Sequence, residues 1–91
     1  MRSLFPLGQV VATPGALAAI ENAGQQPGDF LARHVSGDWG DVPPEDIDEN
    51  EFSLKHGLRL LSAYHTSAGK KFWVITEADR SSTCILLPEE Y

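Results

Sequence analysis

Hydrophobic and polar positions alternate most regularly between Leu58 and Pro88 (LRLLSAYHTSAGKKFWVITEADRSSTCILLP), a period-2 pattern that predicts three short strands joined by two tight turns. Leu58, Leu60, Ser62 and Tyr64 fall on one face of the first strand, and Arg59, Leu61, Ala63 and His65 on the other. Thr66-Ser67-Ala68-Gly69 supplies the turn, with Gly69 free to take a positive φ. Phe72, Val74 and Thr76 then oppose Trp73, Ile75 and Glu77 before Ala78-Asp79-Arg80-Ser81 turns the chain again. In the last strand Thr83, Ile85 and Leu87 alternate with Ser82, Cys84 and Leu86, and Pro88 stops it because proline cannot continue a ladder.

Upstream the period changes. Leu7 to Thr13 is short and β-branched and reads as a strand, and Thr13-Pro14 caps and opens a helix with the small apolar stripe Ala16, Leu17, Ala19, Ile20 and Ala23, closed by Gly24. Leu17 and Ile20 are expected to face the sheet. Pro27 opens a second helix with Phe30, Leu31, His34 and Val35 on its buried face, ended by Gly37. Pro43-Pro44 starts a third, running to about His56 and closed by Gly57, with Ile47, Leu54 and Leu58 as the inward row and Phe52 at its margin. The order β-α-α-α-β-β-β describes a single α+β domain over residues 1–91, with helices on one face of a mostly antiparallel sheet.

Composition narrows the function classes. Ninety-one residues with 42% hydrophobic content suit one small core. The single cysteine, Cys84, has no internal disulfide partner and sits in the apolar alternation of a strand, which suits a buried thiol in a reducing compartment. There is neither a signal-peptide run nor a stretch of about 18 apolar residues, so the expectation is a soluble, cytoplasmic protein. A net charge of -6 repels phosphate backbones and anionic membranes. Seven of the thirteen acids, Asp38, Asp41, Glu45, Asp46, Asp48, Glu49 and Glu51, lie between His34 and Leu54, where no Lys or Arg occurs. Helix-dipole stabilisation of the first turn, at most about 0.3–1 kcal/mol per carboxylate, accounts for part of that cluster.

Catalytic and metal chemistries find little support. His34, His56, His65 and Cys84 show no ligand-type spacing, and CxxC, HExxH and HxH are absent. A Cys84–His65 pair lacks a recognisable orienting group or oxyanion donor, and no glycine-rich phosphate loop is present. No cofactor or metal is therefore expected. Lys70 and Lys71 beside Phe72 and Trp73 resemble the basic-aromatic interleaving of single-strand binders, but strand alternation sends the two rings to opposite faces. Trp39, between Asp38 and Gly40-Asp41, is expected to plug a gap at the core's edge, with an exposed contact as the alternative. The tail Pro88-Glu89-Glu90-Tyr91 is left open between docking on a partner and packing back on the sheet.

The segments HVSGDWGD (His34 to Asp41) and SAYHTSAGKKFWVITEADRSSTCILLPEEY (Ser62 to Tyr91), with FPLGQVVATPGAL near the start, resemble a family of small bacterial proteins of plasmids and integrated mobile elements, some labelled type I restriction modification subunits. This chain has neither the length of a methyltransferase domain nor an NPPF-type motif, so the label does not extend to it. The resemblance implies a mobile-element accessory protein and brings no catalytic residues. Small acidic proteins of such elements include anti-restriction and anti-CRISPR inhibitors, some of which imitate DNA. The leading expectation is a non-catalytic module whose Asp38, Trp39, Asp41, Glu45, Asp46, Asp48, Glu49 and Glu51 bind a protein with a basic surface. Its rival is an enzyme or ligand-binding module with a pocket between sheet and helices near Tyr64, His65 and Cys84, and a third reading is a regulatory protein that acts within the mobile element through a DNA-binding partner.

Overall fold

The computed structural model describes residues 3–91. Strand β1 (Gln9–Ala12) leads into helices α1 (Pro14–Asn22), α2 (Pro27–Val35) and α3 (Pro44–His56). The meander β2 (Leu60–His65), β3 (Lys71–Thr76) and β4 (Ser82–Leu86) follows, and a 3-10 turn spans Pro88–Glu90. The sheet runs β1-β4-β3-β2, with β1 parallel to β4 and both other pairings antiparallel. This is the α+β order and mostly antiparallel sheet that the alternation implies.

The meander folds as its period dictates. Leu60, Ser62 and Tyr64 of β2, Phe72, Val74 and Thr76 of β3, and Thr83 and Ile85 of β4 are all buried on the face that receives α1 and α2. In α1 the Thr13 hydroxyl accepts from the Ala16 N–H at 3.3 Å, and Pro14 occupies the first turn. Ala16 and Ile20 go inward while Leu17 stays exposed, so the inward pair differs from the expected Leu17 and Ile20. The small side chain of Ala16 lets this helix lie close to β4 and Leu87 in the main cluster, and Leu17, one position on, turns outward. α2 buries Phe30, His34 and Val35 as expected. The Phe30 ring stands edge-on to Phe72 at 4.7 Å between centroids.

α3 departs from its expected face in part. Leu54 of the expected row is partly buried against the cluster of Phe5, Val35, Trp39 and Leu60, but Ile47 and Leu58 are 40% and 43% exposed, and the buried positions are the polar Asn50 and Ser53. The helix lies along the outer edge of β2, where backbone groups need partners more than apolar side chains do. The Asn50 amide donates to Leu61 O at 2.7 Å and accepts from the Leu61 N–H at 3.0 Å, standing in for a neighbouring strand. One step along, the Ala63 N–H donates to Trp39 O at 3.0 Å, and the Asp41 N–H donates to Ala63 O at 2.7 Å. That close approach requires a glycine at Gly40, whose φ is +77° and whose added Cβ would stand 2.1 Å from Ala63 O.

Arg80 fastens the other end of α3. Its guanidinium donates to Leu58 O at 2.6 Å, Glu77 O at 3.1 Å, Ala78 O at 3.2 Å and Ser53 O at 3.2 Å, from a residue held at φ 62°. These bonds satisfy carbonyls at the helix C-terminus and in the β3–β4 turn together, and offset the left-handed backbone.

A buried polar chain crosses the core. His34 has no exposed surface; its Nδ1 lies 2.5 Å from Ser62 Oγ and its Nε2 2.8 Å from Thr76 Oγ1. Thr76 Oγ1 lies 2.8 Å from Thr83 Oγ1, which donates to Leu7 O at 2.8 Å. Proton counting sets the direction of every link. Thr83 spends its proton on Leu7, so Thr76 donates to Thr83 and must accept from the Nε2–H of His34. The Nδ1 then accepts from Ser62, which makes His34 a neutral imidazole protonated on Nε2.

Burial pushes the His34 pKa down to about 4, and the nearby charge of Arg80 adds to the shift. An unfolded histidine takes up its proton near pH 6.5. Between those values the unfolded chain therefore binds more protons than the folded one, and stability falls as pH falls. Urea denaturation is expected to show roughly 3 kcal/mol lost between about pH 6.5 and pH 4. In His34→Gln that component should be missing, whatever the variant's starting stability.

Candidate functional site

The acids between Asp38 and Glu51 do not form one surface group. The Asp38 carboxylate accepts from the Arg33 Nε–H at 2.7 Å and from the Gly40 N–H at 3.2 Å. Hydrogen bonding to Arg33 holds its pKa below the usual carboxylate range, and the same contact raises that of Arg33, whose guanidinium also lies 4.5 Å over the Tyr64 ring. Asp41 lies 2.8 Å from the His65 Nδ1. Glu51 accepts from the Trp39 indole N–H at 3.0 Å. Each of these three carboxylates has an internal partner, local for Asp38 and distant in sequence for Asp41 and Glu51, and a count of acidic residues along the run detects none of them.

Trp39, counted among the partner-binding candidates, is only 3% exposed. Its ring stacks 6.2 Å from Phe5 and meets His34 edge-on at 5.8 Å, with Val35 and Leu60 completing the cluster. An indole whose one polar atom already bonds Glu51 has nothing left to offer a partner. It belongs to the core, as the gap-plugging expectation has it.

What remains is Glu45, Asp46, Asp48 and Glu49 on the first two turns of α3, none of them in an ion pair among the described residues. Glu45, Asp48 and Glu49 share one exposed helical face at i, i+3 and i+4 spacing. Phe52, 53% exposed, continues that face, with its ring 4.2 Å from that of His56. Like charges at i, i+4 cost about 0.2–0.5 kcal/mol per pair, partly offset by the positive end of the helix dipole. Beside them Asp46, Glu49, Asn50, Arg59 and Leu61 line a shallow cleft of about 140 Å³, below the usual range for a small-molecule site.

The residues of the rival pocket do not converge. Tyr64 points to the helix face, fully buried, and donates to Asp38 O at 2.6 Å; burial pushes its pKa up to about 12. His65 and Cys84 share the opposite face, but the register pairs His65 with Lys71 and Cys84 with Ile75, about 13 Å apart along β3. Burial raises the Cys84 thiol pKa, which opposes nucleophilic use. No cluster of three His, Cys, Asp or Glu side chains suited to a metal occurs among the described residues.

The tail packs back. Tyr91 meets Trp73 edge-on at 5.8 Å and its hydroxyl accepts from Arg59 at 3.1 Å. The Glu90 carboxylate accepts from the Thr13 hydroxyl at 2.5 Å and from the Leu87 N–H at 2.9 Å, so it sits at the N-terminus of α1. Lys70 and Arg59 are tied to Glu89 at 3.2 Å and Glu77 at 3.2 Å.

No family model, curated protein or solved structure matches the chain, so the site rests on its own geometry. No helix among the described residues is long and apolar enough to cross a membrane.

The division between Trp39 in the core and the exposed acids of α3 is measurable. Trp39→Ala is expected to cost about 3–5 kcal/mol in chemical denaturation. Glu45→Gln and Asp48→Asn should each stay within about 0.5 kcal/mol of the parent protein.

Proposed function

We propose that the chain is a non-catalytic, acidic protein-binding module whose α3 face docks on a basic surface of another protein. The observation that carries this reading is the set Glu45, Asp46, Asp48 and Glu49, none of them in an ion pair among the described residues, while Asp38, Asp41 and Glu51 are each engaged internally. Glu45, Asp48 and Glu49 on one face fall about every 3 Å along the axis, close to the one per ~3.4 Å of a single strand of duplex DNA. A protein groove built for a few phosphates therefore meets a comparable charge density on α3, with Phe52 beside it for apolar contact.

The resemblance to mobile-element proteins favours a nucleic-acid-handling partner, including a restriction or CRISPR nuclease that the module would inhibit as a DNA-like charge mimic. The dispersal of Tyr64, His65 and Cys84 supports a binding role over an enzymatic one.

The test is affinity capture from a bacterial lysate with the parent protein and a Glu45→Lys/Asp46→Lys/Asp48→Lys/Glu49→Lys variant, at low and high salt. Expected is a nucleic-acid-handling protein held by the parent protein alone, released by salt and displaced by duplex DNA. The same proteins on both baits, or none on either, would overturn the reading.

A further inference from the structure

The two edges of the sheet are treated in opposite ways. The β2 edge is sealed by the Asn50 amide and by the backbone of Trp39 and Asp41. The β1 edge carries no such cover among the described residues. Gln9 and Thr13 donate their N–H groups to Ser81 O at 3.0 Å and Ile85 O at 2.9 Å, so strand alternation turns the N–H and C=O of Val10 and Ala12 away from the sheet. All four residues of β1 are exposed, Val10 at 41% and Val11 at 44%. Long-lived open edges are normally blunted by lysine, proline or a bulge, and β1 has none of these. An apolar groove of about 780 Å³ lies alongside, lined by Leu4, Leu7, Val10, Leu31 and Val35 among others.

We infer that this edge pairs with the same edge of a second copy of the chain, as a two-fold antiparallel ladder centred on Val11. The register uses the outward backbone groups completely. Val10 exchanges both hydrogen bonds with Ala12 of the second copy, Ala12 does the same with Val10 of the second copy, and the two Val11 side chains face each other at the closely spaced, non-hydrogen-bonded position. A strand whose outward donors and acceptors match themselves under a two-fold axis suits an isologous dimer.

Charge points to the same occupant. From Ser3 to Ile20 the sequence has no charged residue, although the chain carries a net -6. A two-fold contact between acidic copies meets least repulsion where its surface carries least charge; β1 and the lining of its groove have no charged residue, and the carboxylate nearest the strand, Glu90 at Thr13, is already hydrogen-bonded. The sheet would become eight strands with both α3 faces at its far ends, separated by more than the ~34 Å that seven strand spacings provide. Pairing also carries the start of α1 of the second copy, with its exposed Leu17, toward the groove, adding apolar contact to a ladder too short to reach the roughly 800 Å² per partner of a stable interface.

The test combines sedimentation equilibrium with amide hydrogen exchange on the full chain. Val10→Pro and Ala12→Pro each remove an outward N–H and no bond to β4, so the fold tolerates them. Expected is a species of twice the 9.9 kDa chain mass that reverts to 9.9 kDa in either variant. In the parent protein the Val10 and Ala12 amides should be protected along with those that face β4. A 9.9 kDa species at every concentration with fast exchange at Val10 and Ala12 overturns the proposal, as does a dimer that survives both prolines. Protection of these amides only when an extended peptide of another sequence is added assigns the edge to that peptide and equally overturns self-pairing.

Discussion

The fold is closed by one neutral imidazole. His34 is the point at which α2, β2 and β3 meet, and its chain of hydroxyls runs on through Thr83 of β4 to the backbone of Leu7. Each link is worth about 1 kcal/mol net, but a buried hydroxyl or ring nitrogen left without its partner costs about 1–3 kcal/mol. The chain therefore acts less as added stability than as a condition on geometry. Any sliding of α2 along the sheet would strand several groups at once. Phe5 and Trp39 close over the ring edge-on and shield it, and the Leu4 N–H donates to Val35 O at 2.8 Å, which binds the N-terminal segment to the same helix.

That condition settles what is left outside. With α1 and α2 on one face and α3 drawn to the β2 edge by Asn50 and Arg80, the carboxylates of α3 stand at one end of the sheet. The uncharged β1 edge stands at the other. The molecule is consequently polar in the electrostatic sense, with a sealed, acidic end and an open, neutral one. The internal engagement of Asp38, Asp41 and Glu51 sharpens this, because of the seven acids from Asp38 to Glu51 it leaves only those on the first two turns of α3 without an internal partner.

Much of this was legible in the residues. The meander's alternation placed Leu60, Ser62, Tyr64, Phe72, Val74 and Thr76 on the buried face, and Thr13-Pro14, Pro27, Pro44 and Gly57 marked helix ends, because both signals are local. The face of α3 was legible only in part, since apolar periodicity points to Ile47, Leu54 and Leu58, of which Leu54 alone packs on the core, whereas the helix is held through hydrogen bonds of Asn50. An asparagine at the i+3 step from Ile47, in the middle of an otherwise acidic helix, is the one available signal. The acidic run was legible as composition but not as a site, because Arg33, His65 and Trp39 engage three of its members, two of them through contacts 12 and 24 residues apart in sequence. The parallel partner of β1 likewise depends on where three helices return the chain.

The most direct measurement is ¹⁵N NMR of the His34 imidazole as a function of pH. The structure requires a proton on Nε2 and a lone pair on Nδ1, unchanged on lowering the pH until close to 4. A proton on Nδ1, or titration near the unperturbed histidine value of about 6.5, would contradict the buried chain on which the arrangement of helices and sheet depends.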